Sequence, residues 1–218
     1  MSEPISLARP KAEFGRDLRR EQLIEIARQL LGERGLGEVA MDEIAASAGV
    51  ARSTLYTYFP SREALIRACI IGMRDRFAEA LSGTPSDAGS PRQRLEALFG
   101  ALLVAVDWAP GFFSLVVASQ GTGGAVGEAV SAELTVIGLE VIGLVESIVA
   151  DVRNSATQEP LLGAQELVVL IGQQILGALM TRAVLDNALS AEDSATSLAA
   201  FCLGGLNTPQ REDADHAV

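Results

Sequence analysis

Apolar residues along this chain recur at intervals of three and four, the spacing of one face of an α-helix. Leu18, Leu23, Ile26, Ala27, Leu30 and Leu31 set that pattern from Arg16 to Gly32, and Gly32, Gly35 and Gly37 end it. Met41, Ile44, Ala45 and Ala48 predict a short helix over 41–48, broken by Gly49, and a third short helix fits 51–58. Ser61 is placed to cap a fourth helix over 61–81, with Glu63 and Ala64 in its first turn. Residues 82–91 (Ser-Gly-Thr-Pro-Ser-Asp-Ala-Gly-Ser-Pro) have the composition of a linker. Beyond it the pattern predicts helices at about 91–107, 111–119, 126–153, 163–187 and 190–204. Ser190 and Asp193 make a capping-box-like start for the last. No segment alternates in polarity for long enough to make a strand, so the fold class expected is all-α. The expected division is an arm over 1–15, a first helical unit over 16–81, a second over 82–206 and a polar tail over 207–218.

Composition narrows the function. The chain has 218 residues, 49% of them hydrophobic, enough for a real core. The longest apolar run, Leu98 to Val106, is less than half of the roughly 20 residues that span a bilayer. The N-terminus lacks an apolar signal core. No membrane partner and a cytoplasmic location are therefore expected. The two cysteines, Cys69 and Cys202, have the spacing of neither a disulfide framework nor a metal motif. The single histidine, His216, lies in the polar tail. The glycine-rich stretch from Gly121 to Gly127 follows no strand and is not a dinucleotide loop. No catalytic residue, metal site or cofactor is expected.

The net charge of −11 argues at first against nucleic acid. Its distribution changes that picture. Residues 1–76 hold 12 basic and 11 acidic residues, about +1 in net charge. Residues 77–218 hold 5 basic and 17 acidic residues, about −12. The asymmetry assigns different work to the two parts.

The residues that carry chemistry lie between 41 and 59. Two short helices flank Gly49, which suits a position with φ above zero. Ala45 is small where the pair would cross, and Ile44, Val50 and Leu55 supply apolar contacts. This is a helix-turn-helix pattern, whose second helix enters the major groove. That helix offers Arg52, Ser53, Thr54 and Thr57, with Tyr56 and Tyr58 near its end. Hydroxyls, an arginine and tyrosines suit phosphates and base edges. An ordinary helical hairpin with solvated polar residues would present the same pattern.

The segment Ile44-Ala45 … Ala48-Gly49-Val50 … Ser53-Thr54-Leu55-Tyr56-Thr57-Tyr58-Phe59-Pro60-Ser61-Arg62-Glu63-Ala64-Leu65 resembles the signature of the TetR (tetracycline-repressor) family. The resemblance runs from about Arg19 to Gly72, roughly a quarter of the chain. It implies a three-helix DNA-binding domain joined by a fourth helix to a helical ligand-binding and dimerisation domain. It also implies base and phosphate contacts from Arg52, Ser53 and Thr54, and phosphate contacts from Tyr56, Tyr58 and Arg62. An arginine at a helix start is physically suited to a phosphate. Three positions depart from the family pattern. Ala40 and Ala51 remove capping hydroxyls, and Ser53 replaces a frequent glycine. Asp42 and Glu43 make the first helix of the pair a poor phosphate binder.

In the second unit, residues 163–187 are apolar nearly all round and must be covered on more than one side. With residues 190–204 they suggest a two-fold four-helix interface through Leu167, Ile171, Leu176, Met180, Leu198 and Phe201. A single helix buried in one monomer is the alternative. Phe99, Trp108, Phe112 and Phe113 lie close in sequence and, with Leu103, could line an apolar cavity or simply form core. Glu133, Glu140 and Asp151 share one helix face; Glu140 is a candidate for a cationic ligand, and a solvated acidic stripe is the plainer reading.

Together these features predict a ligand-responsive transcriptional regulator, a repressor released from its operator by a small, mainly hydrophobic effector. Its expected partners are double-stranded DNA with a palindromic operator, a small-molecule effector and a second copy of the chain. The alternative is a helical interaction module that has lost DNA binding. An enzyme on this scaffold would lack a histidine constellation, a nucleophile motif and metal-ligand spacing.

Overall fold

The computed structural model of the chain describes residues 11–35, 38–84, 89–119, 123–155, 162–184 and 189–206. Among these, every regular element is a helix: α1 (Lys11–Arg34), α2 (Met41–Ser47), α3 (Arg52–Tyr58), α4 (Arg62–Ser82), α5 (Pro91–Asp107), α6 (Pro110–Ala118), α7 (Ala125–Ser155), α8 (Ala164–Val184) and α9 (Ala191–Leu206). The expected tail, the first ten residues of the expected arm and the last residues of the helix read to 187 lie outside the described residues.

Helix ends follow local chemistry. Gly49 takes φ +63° between α2 and α3, and Gly35 takes φ +93° after α1. The Ser61 hydroxyl accepts the Ala64 N–H at 3.1 Å and caps α4. Ser90 and Gln93 form a capping box ahead of Pro91, the first residue of α5. Ala40 and Ala51 precede α2 and α3 without a side-chain cap. Most boundaries fall within one or two residues of the sequence expectation, α1 running past Gly32 to Arg34; the start of α1 differs most. Helix α1 begins at Lys11 and not at Arg16. Residues 15–20 are exposed and bury no apolar face against the core.

Helices α1 and α4 pack together around Leu23, Ala27, Leu31, Leu65, Ile66 and Cys69. Leu55 and Phe59, 0% and 2% exposed, dock α3 onto this core. Helix α4 continues into the second half, where it packs against α5 and α7. Helix α5 is the centre of that half, in contact with α4, α6, α7, α8 and α9. Its Leu95, Leu98, Phe99, Leu102 and Leu103 are all buried. At its end the chain bends by 96° into α6.

That bend brings α6 against α1. A Cβ added to Gly111 would stand 2.8 Å from the Gly32 carbonyl oxygen, and one added to Gly32 would stand 2.8 Å from the Phe112 nitrogen. Only glycine permits so close an approach. Ion pairs join more distant helices. Arg74 on α4 donates to Glu133 on α7 at 2.9 Å, and Arg182 on α8 donates to Asp107 on α5 at 2.6 Å. Arg94, 1% exposed, pairs with Asp151 and donates to the Ser147 hydroxyl at 2.8 Å. Two of the three acids that share a face of α7 thus serve helix packing, and Glu140 is exposed.

Candidate nucleic-acid interface

Leu55 turns inward and leaves the opposite face of α3 open. Arg52, Ser53, Tyr56 and Thr57 are exposed, and Thr54 and Tyr58 are half-buried. The structure therefore brings six of the seven predicted DNA-contact residues onto one short helix. Thr57 donates to the Ser53 carbonyl at 2.9 Å, a bond within the helix that leaves the hydroxyl oxygen able to accept. Arg52 Nη1 donates to Asp42 on α2 at 2.9 Å, and its guanidinium carbon lies 5.5 Å from the Tyr56 ring centroid. The bond to Tyr56 and the charge of Asp42 raise the Arg52 pKa further above its ordinary value. Glu43, the next residue of α2, pairs with Arg34 on α1. Both acids that seemed to oppose a phosphate are engaged by arginines.

Arg62 is placed differently from its neighbours in the sequence reading. Its Nε donates to the Val39 carbonyl at 3.0 Å, and one of its terminal nitrogens is buried without a partner. The side chain turns inward and ties the start of α4 to the segment before α2. A backbone carbonyl 23 residues away thus holds one edge of the guanidinium read in the sequence as a phosphate contact.

The first helix adds residues that the pattern reading passed over. Arg16, Arg19, Gln22 and Tyr58 line one open concavity of about 470 Å³ beside the end of α3. Arg20 lies over the Phe59 ring, 5.2 Å from its centroid. Their signal in the sequence was the run of three arginines within five positions, which places cations on adjacent faces of one helix.

Residues 23–69 match the family described as bacterial regulatory proteins, tetR family. Over this segment the chain is similar to the TetR family. It is 32% identical over 93 residues to the HTH-type transcriptional regulator BetI of Rhizobium meliloti (strain 1021), covering 43% of this chain and 46% of BetI. The chain thus matches about half the length of that curated relative. Over the full fold it resembles a TetR-like transcriptional regulator from Rhodococcus sp. RHA1, with a TM-score of 0.69, 22% identity and coverage of 88% and 97% of the two chains. It also resembles AibR, solved in complex with isovaleryl coenzyme A and operator DNA, with a TM-score of 0.66, 19% identity and coverage of 84% and 97%. The family match ends at Cys69 in α4, and the fold shared with these solved structures continues beyond it.

In the second half, Phe99, Leu103, Phe112 and Phe113 are buried at 1%, 2%, 1% and 4% exposure. Phe113 stacks on Phe77 of α4, with ring centroids 5.8 Å apart. Trp108 is half-buried against the same core, between Arg28 of α1 and Arg76 of α4. Of the residues read as a dimer face, Leu167 and Ile171 are already covered by their own protomer. Met180 and Leu198 are half-buried, and Leu176 and Phe201 are 52% and 67% exposed. Val169 and Leu170 lie on the same open side of α8. Helix α8 is long and apolar enough to cross a membrane by composition, yet its exposed side also carries Gln173 and Gln174.

Cys69 is buried against the Ile24 carbonyl, 3.7 Å away, and burial pushes its thiol up to about 12. It is a packing residue of the α1–α4 core.

Proposed function

We propose that the chain is a ligand-responsive, DNA-binding transcriptional repressor that works as a homodimer on a palindromic operator. The observation that carries this reading is the open face of α3, with Arg52, Ser53, Tyr56 and Thr57 outward over the Leu55 anchor. On this reading residues 16–81 form the DNA-binding part, and residues 82–206 bind the effector and dimerise in the cytoplasm. Two recognition helices about 34–36 Å apart would read successive major grooves. The apolar open side of α8 and α9, through Leu176, Phe201 and their neighbours, is the surface a second copy would cover. Gln173 and Gln174 suit a protein interface better than lipid.

The effector is proposed to be small and mainly apolar, binding near Phe99, Leu103, Phe112 and Phe113, with Trp108 and Glu140 at the edge of that region. Residues 92–182 contain only four arginines, and each already has a partner: Glu96, Asp151, the Leu162 carbonyl and Asp107. A phosphorylated sugar would find few cations there. The acyl-coenzyme A bound by AibR is consistent with an effector whose acyl part does the binding. A helical interaction module without DNA binding is the weaker reading, since nothing in such a module calls for the open polar face of α3.

The test is selection of double-stranded DNA by the purified protein from a random library, followed by band-shift titration. Enrichment of a two-fold symmetric sequence supports the reading. Equal retention of all sequences overturns it. Thermal-shift screening of apolar carboxylates and acyl thioesters, then release of the selected DNA, identifies the effector class.

A further inference from the structure

Asp42 and Arg52 come from different helices of the DNA-facing pair, and the carboxylate accepts the guanidinium N–H at 2.9 Å. The same guanidinium also meets the Tyr56 ring, its carbon 5.5 Å from the centroid. Arg52 opens α3, where a cation faces the positive end of the helix dipole. Within α3 only the Tyr56 ring engages it among the described contacts. Asp42 engages it from the first turn of α2, where a carboxylate is favoured. Both side chains are about 60% exposed, 62% and 61%, so the pair lies on the open surface and supports no core.

We infer that Asp42 is a positioning residue for DNA specificity, holding the Arg52 guanidinium toward a base edge and away from the nearest phosphate. The inference rests on the DNA-binding reading above and adds a residue to it. Guanidinium has five N–H donors, so one can stay on Asp42 while two others grip a guanine edge. An untethered arginine on this surface would settle on phosphate, because phosphate attraction dominates and carries no sequence information. Asp42 opposes that outcome twice. It fixes the cation, and its own charge repels the backbone. Excluding water at the interface strengthens the pair beyond its modest value in solution.

Removing the carboxylate should therefore move specific and non-specific binding in opposite directions. The experiment compares wild type, Asp42→Asn, Asp42→Glu, Arg52→Ala and the Asp42→Asn/Arg52→Ala double variant. Each is titrated by fluorescence anisotropy against DNA selected by the wild type and against random duplex, at several salt concentrations. Asp42→Asn is expected to bind random duplex two- to fivefold tighter and to lose about tenfold in the ratio of selected to random affinity. Its salt slope on random duplex should steepen by about 0.9, one added phosphate contact. Asp42→Glu keeps a carboxylate and should keep most of the ratio. In the Arg52→Ala background, Asp42→Asn should leave the ratio unchanged. A merely structural role would lower the melting temperature and both affinities together, and that result overturns the inference. So does an Asp42→Asn effect on the ratio that persists without Arg52. A wild type that enriches no sequence overturns the DNA-binding reading itself, and this inference with it.

Discussion

The Arg28 guanidinium carbon lies 3.9 Å from the centroid of the Trp108 ring, and Arg76 approaches the same ring at 5.7 Å. Arg28 is 6% exposed and is held by Glu25 on its own helix. Trp108 caps the end of α5, so one indole connects α1, α4 and the bend into α6. It stands where the helix-turn-helix unit meets the second half. Replacing Arg28 by Ala is expected to lower stability by about 1–2 kcal/mol through the lost stack and its packing. It should also shift the emission of Trp108, the single tryptophan. Urea unfolding followed by fluorescence and circular dichroism measures both. An effector that releases DNA should change the same emission, since one coupling free energy links the two sites. Release with unaltered emission would count against this junction as the link.

Arg62→Ala should act first on the fold. Loss of its bond to the Val39 carbonyl is expected to cost about 1–3 kcal/mol, seen as a lower melting temperature. DNA affinity should fall for all sequences, while the slope of log affinity against log salt stays the same. A slope reduced by about 1 with unchanged melting would instead assign Arg62 to a phosphate.

The two sides of α8 should respond differently. Leu176→Glu or Phe201→Glu is expected to give a monomer in sedimentation with nearly wild-type helicity, and to abolish operator binding. Leu167→Ala or Ile171→Ala should cost about 2–5 kcal/mol of protomer stability, because each leaves a cavity in a packed site. Sedimentation of the wild type as a monomer at micromolar concentration would remove the dimer.

Gly111→Ala places a methyl group 2.8 Å from a backbone oxygen of α1. The two helices must separate, at about 1–3 kcal/mol for overpacking. Denaturant titration should show the loss, and Trp108 emission should report the displaced corner. An alanine tolerated at full stability would show that α1 and α6 slide freely.

Cys69 makes a prediction for pH. Burial raises its thiol from 9.0 to about 12, so the folded state keeps a proton that the unfolded state releases above 9. Its contribution is fully present below pH 9 and is lost as pH rises toward 12. Cys69→Ala should unfold with a shallower dependence on alkaline pH. Equal slopes for the two proteins would contradict the burial effect.

What the sequence determined is what short-range chemistry decides. The three-and-four spacing set the helices. Ser61 and Ser190 marked where α4 and α9 begin, and Gly49 with Leu55 marked the helix pair that bears Arg52, Ser53 and Thr57. These signals act within a turn or two of the backbone, so they are written in neighbouring residues. Tertiary structure decided the direction in which long side chains turn. Arg62 faces Val39, Asp42 reaches Arg52, Trp108 is shared by Arg28 and Arg76, and Leu167 points inward while Leu176 does not. An apolar helix or a flexible cation offers several partners of similar energy. The choice among them is made by whichever helix, often tens of residues away, is packed against it.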